Sequence, residues 1–137
     1  MMKHKLLVIL LAVTLPVMAG CGMPKVSGKV TFPDGAPLTT GTIFFEADQH
    51  TYQATIHRDG SFNMGVLRDG EGIPPGTYRV FVQAVSQESM AAHDENPDAP
   101  LVYLTDRKYA SPRTSDIVYT IESTTRNISI VVSPPAE

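Results

Sequence analysis

The 137-residue chain has no tryptophan, a single cysteine and few charged residues. With Cys21 as its only cysteine, it cannot form a disulfide within the chain. The formal net charge is −3, and it becomes −5 without residues 1–20, which contain two lysines and no acidic residue. An acidic chain lacks the basic surface that nucleic-acid binding requires, so we expect no nucleic-acid partner.

A long apolar run is also missing. The longest one, Leu6–Val17, covers about a dozen residues, whereas a membrane-spanning helix needs ~20. Lys3 and Lys5 precede this run, and the small residues Ala19 and Gly20 follow it, which is the layout of a secretory signal. The sequence therefore predicts a secretory targeting segment at the N-terminus rather than a transmembrane helix.

The tetrapeptide Met-Ala-Gly-Cys that ends at Cys21 resembles the lipobox of bacterial lipoproteins. The resemblance implies a signal peptide of residues 1–20, a diacylglycerol on the Cys21 sulfur and a further acyl chain, such as palmitate, on its new amino group. Two or more chains anchor a protein stably, since each buried methylene contributes about 0.8 kcal/mol. We expect a membrane-anchored lipoprotein with residues 21–25 as its tether. It would lie on the periplasmic or extracellular face, and Gly22, which is no acidic retention signal, favours the outer membrane.

The remaining chain alternates apolar and polar residues over short runs, with many prolines and glycines between the runs. The clearest alternation follows the Pro-Pro-Gly of residues 74–76, where Tyr78, Val80, Val82 and Ala84 predict the buried face of a central strand. Arg79 and Gln83 lie on its other face. Similar patterns predict strands at 26–32, 42–47, 52–56, 62–66, 117–121 and 128–132, with 101–104 as a further short strand.

Turn residues separate these runs. Asp59-Gly60 predicts a tight hairpin, because a type I′ turn needs positive φ at both central residues. The regular spacing of short strands, without a helical pattern, predicts an all-β fold: an antiparallel β-sandwich of seven to eight strands over residues 26–133.

Six short motifs follow one another along the chain: Val26–Val30, Pro37–Leu38, Gly41–Phe45, Asp59–Phe62, Pro75–Val80 and Lys108–Ser115. Their order resembles that of carboxypeptidase-regulatory-like domains, which have a transthyretin-like (prealbumin-like) β-sandwich fold with Ig-like architecture. In that family an Asp-Gly turn precedes a buried phenylalanine, and Pro-Gly-x-Tyr-x-Val opens a strand. The resemblance implies a non-catalytic accessory or ligand-binding module without a shared ligand.

Residues 86–100 interrupt the strand rhythm and are polar, acidic and bounded by proline. We interpret them as a solvated excursion with one helical turn near residues 89–93. Because such a segment contributes little core, its length suggests a partner surface, assisted by the rigid loop 72–76. The candidate surface residues are Glu88, His93, Asp94, Glu95 and Asp98.

The sequence offers no catalytic or metal-binding pattern. His50 and His57 lie in or beside one predicted hairpin without a third ligand at zinc spacing. The acidic residues of the excursion lack the glycine and alternating acid or amide pattern of a calcium loop. We therefore predict no enzyme activity, no metal site and no cofactor.

Two functions stay open. The first is a lipid-anchored interaction or structural module of the cell envelope that binds another envelope protein. The alternative is a carbohydrate-binding module that recognises a glycan at the cell surface. Phe44 and Phe81 fall on the nominally polar faces of their strands, where they either line a sugar groove or pack beneath the excursion.

Overall fold

The computed structural model describes residues 23–65, 68 and 70–136. Cys21, the proposed lipid attachment site, lies outside the described residues. The β-strands are β1 (Val26–Thr31), β2 (Thr42–Ala47), β3 (His50–Thr55), β4 (Ser61–Asn63), β5 (Gly76–Gln83), β6 (Ile117–Ile121) and β7 (Thr125–Val131). One α-helix, α1 (Gln87–Glu95), and a short 3₁₀ helix (Arg107–Ala110) lie between β5 and β6.

The strands form two sheets, and the predicted β-sandwich is confirmed. The first sheet has three strands in the order β4-β1-β7, and the second has four in the order β3-β2-β5-β6. All neighbours are antiparallel except β1 and β7, which pair in parallel. The segment 101–104 is not an eighth strand, since its only ladder contact is a single bridge between Val85 and Tyr103.

Strand β5 lies in the middle of the four-stranded sheet, as its alternation predicts. Tyr78, Val80 and Val82 are buried against the other sheet, whereas Arg79 and Gln83 are exposed. Among the described residues, the hydrophobic core extends from Val26 to Val132. A chain that starts at residue 22 therefore keeps every one of these core residues.

Phe81 is buried although it lies on the outer face of β5. Its ring stacks on Phe44 of β2. The 3₁₀ helix and the link after it cross this face. The Gln83 amide donates to the carbonyl of Ala110, the last residue of the helix (3.3 Å), and Arg79 donates to the Ser115 carbonyl in the link (3.4 Å). The expected cover was the excursion 86–100, and this was wrong, because the cover comes from the link before β6.

The type I′ turn lies at a different place from the one predicted. Asp48 and Gln49 both have positive φ (46° and 70°) and connect Ala47 of β2 to His50 of β3. At the predicted site only Gly60 has positive φ (83°). There the Gly60 amide donates to His57 and the His57 amide donates to Ser61, which makes a three-residue turn. The strand after it, β4, is shorter than the predicted 62–66, and Val66 lies outside the described residues.

The loops gather at two opposite ends of the sandwich. At the N-terminal end, the Ile73 amide donates to the Pro24 carbonyl, and Lys25 contacts Thr124. At the distal end, the loops 32–41, 56–60, 84–106 and 132–136 meet; for example, the Asp106 amide donates to the Ser133 carbonyl. The loop 72–76 precedes β5 and the excursion follows it, so the two lie at opposite ends, and the expectation that they act together was wrong.

Candidate functional site

The excursion at the distal end contains a regular helix rather than a single turn. Ser86 is the N-cap of α1, and its side-chain oxygen accepts a hydrogen bond from the Ser89 amide (3.4 Å). At the other end the Asn96 amide donates to Ala92, which closes the last turn. The helix therefore begins and ends at cap residues that belong to the segment itself.

Hydrogen bonds at its base hold the excursion in place. The Ser86 amide donates to the Val102 carbonyl (2.8 Å), and the Leu104 amide donates to Ala84 (3.0 Å). The Ser89 hydroxyl accepts a bond from the Val102 amide (3.0 Å), which ties the first helical turn to the returning chain. The helix is thus fixed to the end of β5 through its base.

The helix itself contributes little to the core. Of its nine residues only Ser89 is buried. Four of the predicted surface residues, Glu88, Asp94, Glu95 and Asp98, are exposed on the helix and the loop that follows it. The structure therefore places these carboxylates on one projecting segment.

His93 has a different position from the other predicted surface residues. It is half-buried, and its Nδ1 atom lies 2.8 Å from the Ala99 carbonyl, within hydrogen-bond distance. This contact closes the loop between the helix and Pro100. His93 therefore shapes the surface and offers less of its ring to a partner than the carboxylates do.

Sequence reasoning missed the apolar part of this surface. Met90, Leu101 and Val102 are 49%, 37% and 54% exposed. Together they account for half of the six large hydrophobic side chains that are exposed in the described part of the chain. The sequence predicts a strand for Leu101 and Val102 and therefore does not indicate their exposure, and one methionine in a polar segment gives no periodic signal.

Two open clefts flank the base of the excursion. The first, of about 770 Å³, lies between the returning chain and the C-terminal segment; it is lined by His93, Leu101, Tyr103, Arg107 and Pro135, among others. The Arg107 guanidinium lies 4.9 Å from the centre of the Tyr103 ring. The second, of about 840 Å³, is lined mainly by polar side chains, among them Thr39, Thr40, His57, Arg58, Gln87 and Glu88.

The histidines do not converge on a reactive centre. His50 begins β3 at the N-terminal end, whereas His57 follows β3 at the distal end. Within the described ranges no three His, Cys, Asp or Glu side chains are grouped to hold a metal ion. Burial, and secondarily Tyr52, raises the pKa of Tyr78, whose hydroxyl donates to the Pro74 carbonyl at the N-terminal end, away from both clefts.

In the part of the chain that the structure describes, no helix has the length and apolar character to cross a membrane. Comparison with protein-family models, with curated proteins and with solved structures found no match to this chain.

Proposed function

We propose that this protein is a lipid-anchored, non-catalytic module of the bacterial cell envelope that binds a partner protein through its distal end. The observation that carries the proposal is the projecting helix α1, which is held firmly at its base and yet buries only Ser89. A segment that adds so little to the core is not explained by stability, and functional residues concentrate on loops that a rigid scaffold positions.

The chemistry of the excursion favours a protein surface as its partner. Exposed apolar side chains at Met90, Leu101 and Val102 belong to the same segment as the exposed carboxylates of Glu88 and Asp94. An apolar centre with a polar rim is the usual composition of a protein interface. We infer that the partner presents an apolar contact surrounded by basic residues.

The charge distribution of α1 supports the same proposal. Asp94 and Glu95 lie in its last turn, where the helix dipole makes negative charge unfavourable. These two acids therefore do not serve helix stability. Their position fits electrostatic attraction of a basic partner, which increases association rates and weakens with salt.

The proposed membrane anchor and the proposed partner surface would lie at opposite ends of the sandwich. The described chain begins at residue 23, beside the loop 72–76 at the N-terminal end, and α1 lies at the other end of the eight-residue strand β5. A lipid on Cys21 would therefore direct the helix away from the bilayer. Localisation on the periplasmic or extracellular face, with the outer membrane favoured, belongs to the same proposal.

A carbohydrate-binding function is the second candidate. The second cleft favours it, because the side chains of Thr39, Thr40, His57, Arg58 and Gln87 line it and, among the described residues, have no hydrogen-bond or ion-pair partner. Hydroxyl, amide and guanidinium groups match the hydroxyls of a sugar. The Phe44–Phe81 pair does not serve as a sugar platform, since Phe81 is only 6% exposed and the two rings stack on each other.

A photo-crosslinking amino acid at Met90 tests the main proposal, with the same amino acid at the exposed Thr51 near the N-terminal end as the matched control. In native membranes the Met90 position should give a protein adduct that the Thr51 position does not give. The charge reversal Asp94→Lys with Glu95→Lys should weaken that adduct without changing the melting temperature. Equal adducts at both positions would refute the distal surface, and binding to a glycan array that Arg58→Ala abolishes would support the second candidate.

A further inference from the structure

The open edge of β6 differs from the other sheet edges. Edge strands expose unpaired backbone groups, and proteins usually protect them with charges, irregular backbone or short length. Strand β4 has only three residues, β7 contains Arg126 and the positive φ (62°) of Asn127, and β3 bridges to Gly65 through Gln53. Strand β6 (Ile-Val-Tyr-Thr-Ile) contains no charge, proline or glycine.

The pairing of β6 with β5 decides which backbone groups the edge offers. The Ser115 hydroxyl donates to the Val80 carbonyl, so that carbonyl points toward β6, where Val80 is opposite Ile117. Hydrogen-bonded and non-bonded pairs alternate along an antiparallel ladder. Val118 and Thr120 therefore direct their amide and carbonyl groups away from β5, toward the open side.

The side chains around this edge define the chemistry of a segment that would pair with it. Val118 is 54% exposed and Thr120 is exposed, so the outer surface of the strand is apolar to neutral. Exposed acidic residues, Asp116 and Glu122, lie directly before and after the strand. Asp116 also forms an exposed ion pair with Lys108 (3.5 Å), so Glu122 is the stronger of the two attractions for a basic residue. Opposite charges and β-branched or aromatic pairs stabilise neighbouring strands.

We propose that the β6 edge accepts an extended segment of a partner protein as an additional antiparallel strand of the four-stranded sheet. The segment would exchange hydrogen bonds with Val118 and Thr120. It would have β-branched or aromatic residues in its centre and a basic residue at each end, opposite Asp116 and Glu122. Addition of a strand to an exposed sheet edge is an established mode of peptide recognition.

A second copy of this chain fits the edge less well. A symmetric antiparallel pair centred on Tyr119 would place Asp116 of one copy opposite Glu122 of the other, twice, and facing like charges are destabilising. It would also point the two N-terminal ends in opposite directions. A single membrane does not allow that arrangement if the proposed anchoring holds, and this is the only step that rests on the proposed function.

Amide hydrogen exchange of a chain starting at residue 22 tests the proposal without the anchor. The probe is a synthetic peptide that copies Thr77–Gln83, the natural neighbour of β6, with one lysine added at each end. Without the peptide, the Val118 and Thr120 amides should exchange rapidly. At about 1 mM peptide their exchange should slow by about tenfold or more, while the exposed amides of α1 stay unchanged.

The variants Thr120→Pro and Thr120→Ala distinguish peptide binding through the backbone of the β6 edge from an effect of the Thr120 side chain. Both lose the contact between the Thr120 and Thr77 hydroxyls (3.0 Å), but only proline removes the outward amide, at a position where an edge strand tolerates it. Thr120→Pro should weaken peptide binding by about tenfold relative to Thr120→Ala, with both variants folded.

Three outcomes would overturn the proposal. The first is slow exchange of Val118 and Thr120 in the isolated domain, the second is no peptide protection, and the third is equal binding by both variants. A dimer in light scattering that Thr120→Pro dissociates would assign the edge to a second copy instead. None of these outcomes depends on lipidation or on the excursion.

Discussion

The ring of Phe81 lies parallel to the ring of Phe44, with 4.6 Å between the centroids and 6° between the planes. The two residues are opposite each other on neighbouring strands, on the face of the sheet that points away from the main core. The 3₁₀ helix and the link after it cross this face, where they accept hydrogen bonds from Gln83 and Arg79. The four-stranded sheet therefore has a small second apolar layer on its outer face.

Removal of this aromatic layer should destabilise the protein strongly. We expect Phe81→Ala to lower the free energy of unfolding by about 3 kcal/mol or more, because it deletes a buried ring and leaves a cavity. Val118→Ala, on the same face but 54% exposed, should change it by only about 0.5 kcal/mol. Urea unfolding of the two variants makes the comparison, and similar losses would mean that Phe81 is not covered in solution.

The alternation of β5 yields a second pair of variants. Val80 is fully buried, so Val80→Asp should unfold the domain, since an unpaired buried carboxylate costs several kcal/mol. The neighbouring Arg79 is exposed, and Arg79→Glu should lose only its weak bond to the Ser115 carbonyl (3.4 Å). Circular dichroism melting curves distinguish them, and equal losses would reverse the assignment of the strand's faces.

Asp59 should make stability depend on pH on the acid side. Its carboxylate accepts bonds from the Ser61 hydroxyl (2.5 Å) and amide (3.0 Å), and these bonds lower its pKa below the ordinary 3.8. A lowered folded-state pKa gives stability that is present above the unfolded-state value and is lost as the pH falls through the folded-state value. The stability difference between wild type and Asp59→Asn should therefore be largest at neutral pH and shrink below about pH 4.

The Ser61→Ala variant provides the matched measurement for Asp59. It removes the hydroxyl bond, which is the largest cause of the shift, and keeps the backbone bond. NMR titration should then show the pKa of Asp59 moving back toward its ordinary value. A titration curve that is unchanged by Ser61→Ala would refute this account of the turn.

Lipidation of Cys21 gives the prediction on localisation. If Cys21 carries the proposed lipid, Cys21→Ala should shift the protein from the membrane fraction to soluble or uncleaved forms, because the acyl chains would supply the binding energy. Met18→Leu, which brings the tetrapeptide to the common lipobox form, should retain the anchor. Intact-mass measurement of membrane-purified wild type checks the modification directly, and an unmodified Cys21 would contradict it.

Local sequence patterns predicted burial correctly where the burial of a residue depends on its neighbours along the chain. The buried positions Tyr78, Val80 and Val82 follow from alternation, because successive side chains of a strand point to opposite faces. Phe81 breaks the rule, since its burial depends on a segment more than twenty-five residues later in the chain, at Arg107–Ala110 and beyond. The type I′ turn was misplaced because Asp-Gly favours positive φ without requiring it at both residues.

The candidate site was predictable in composition but not in shape. A polar segment bounded by proline indicated an excursion and its carboxylates, and those side chains are exposed. The regular helix needed Ser86 and Ser89 as a cap and an anchor to Val102, which no period in the sequence indicates. The sequence also did not indicate the exposure of Leu101 and Val102. Two adjacent apolar residues are typical of a strand, and their exposure depends on which distant segments lie near them.

The sequence by itself determined the strand content, the inward face of β5 and the polar character of the excursion, because each of these depends on residues close together in the chain. The tertiary structure decided the rest: the parallel pairing of β1 with β7, the cover over Phe81 and the separation of loop 72–76 from the excursion at opposite ends of β5. It also left the β6 edge open. These features depend on which distant segments meet, and that is settled by the packing of two sheets against each other rather than by local preference.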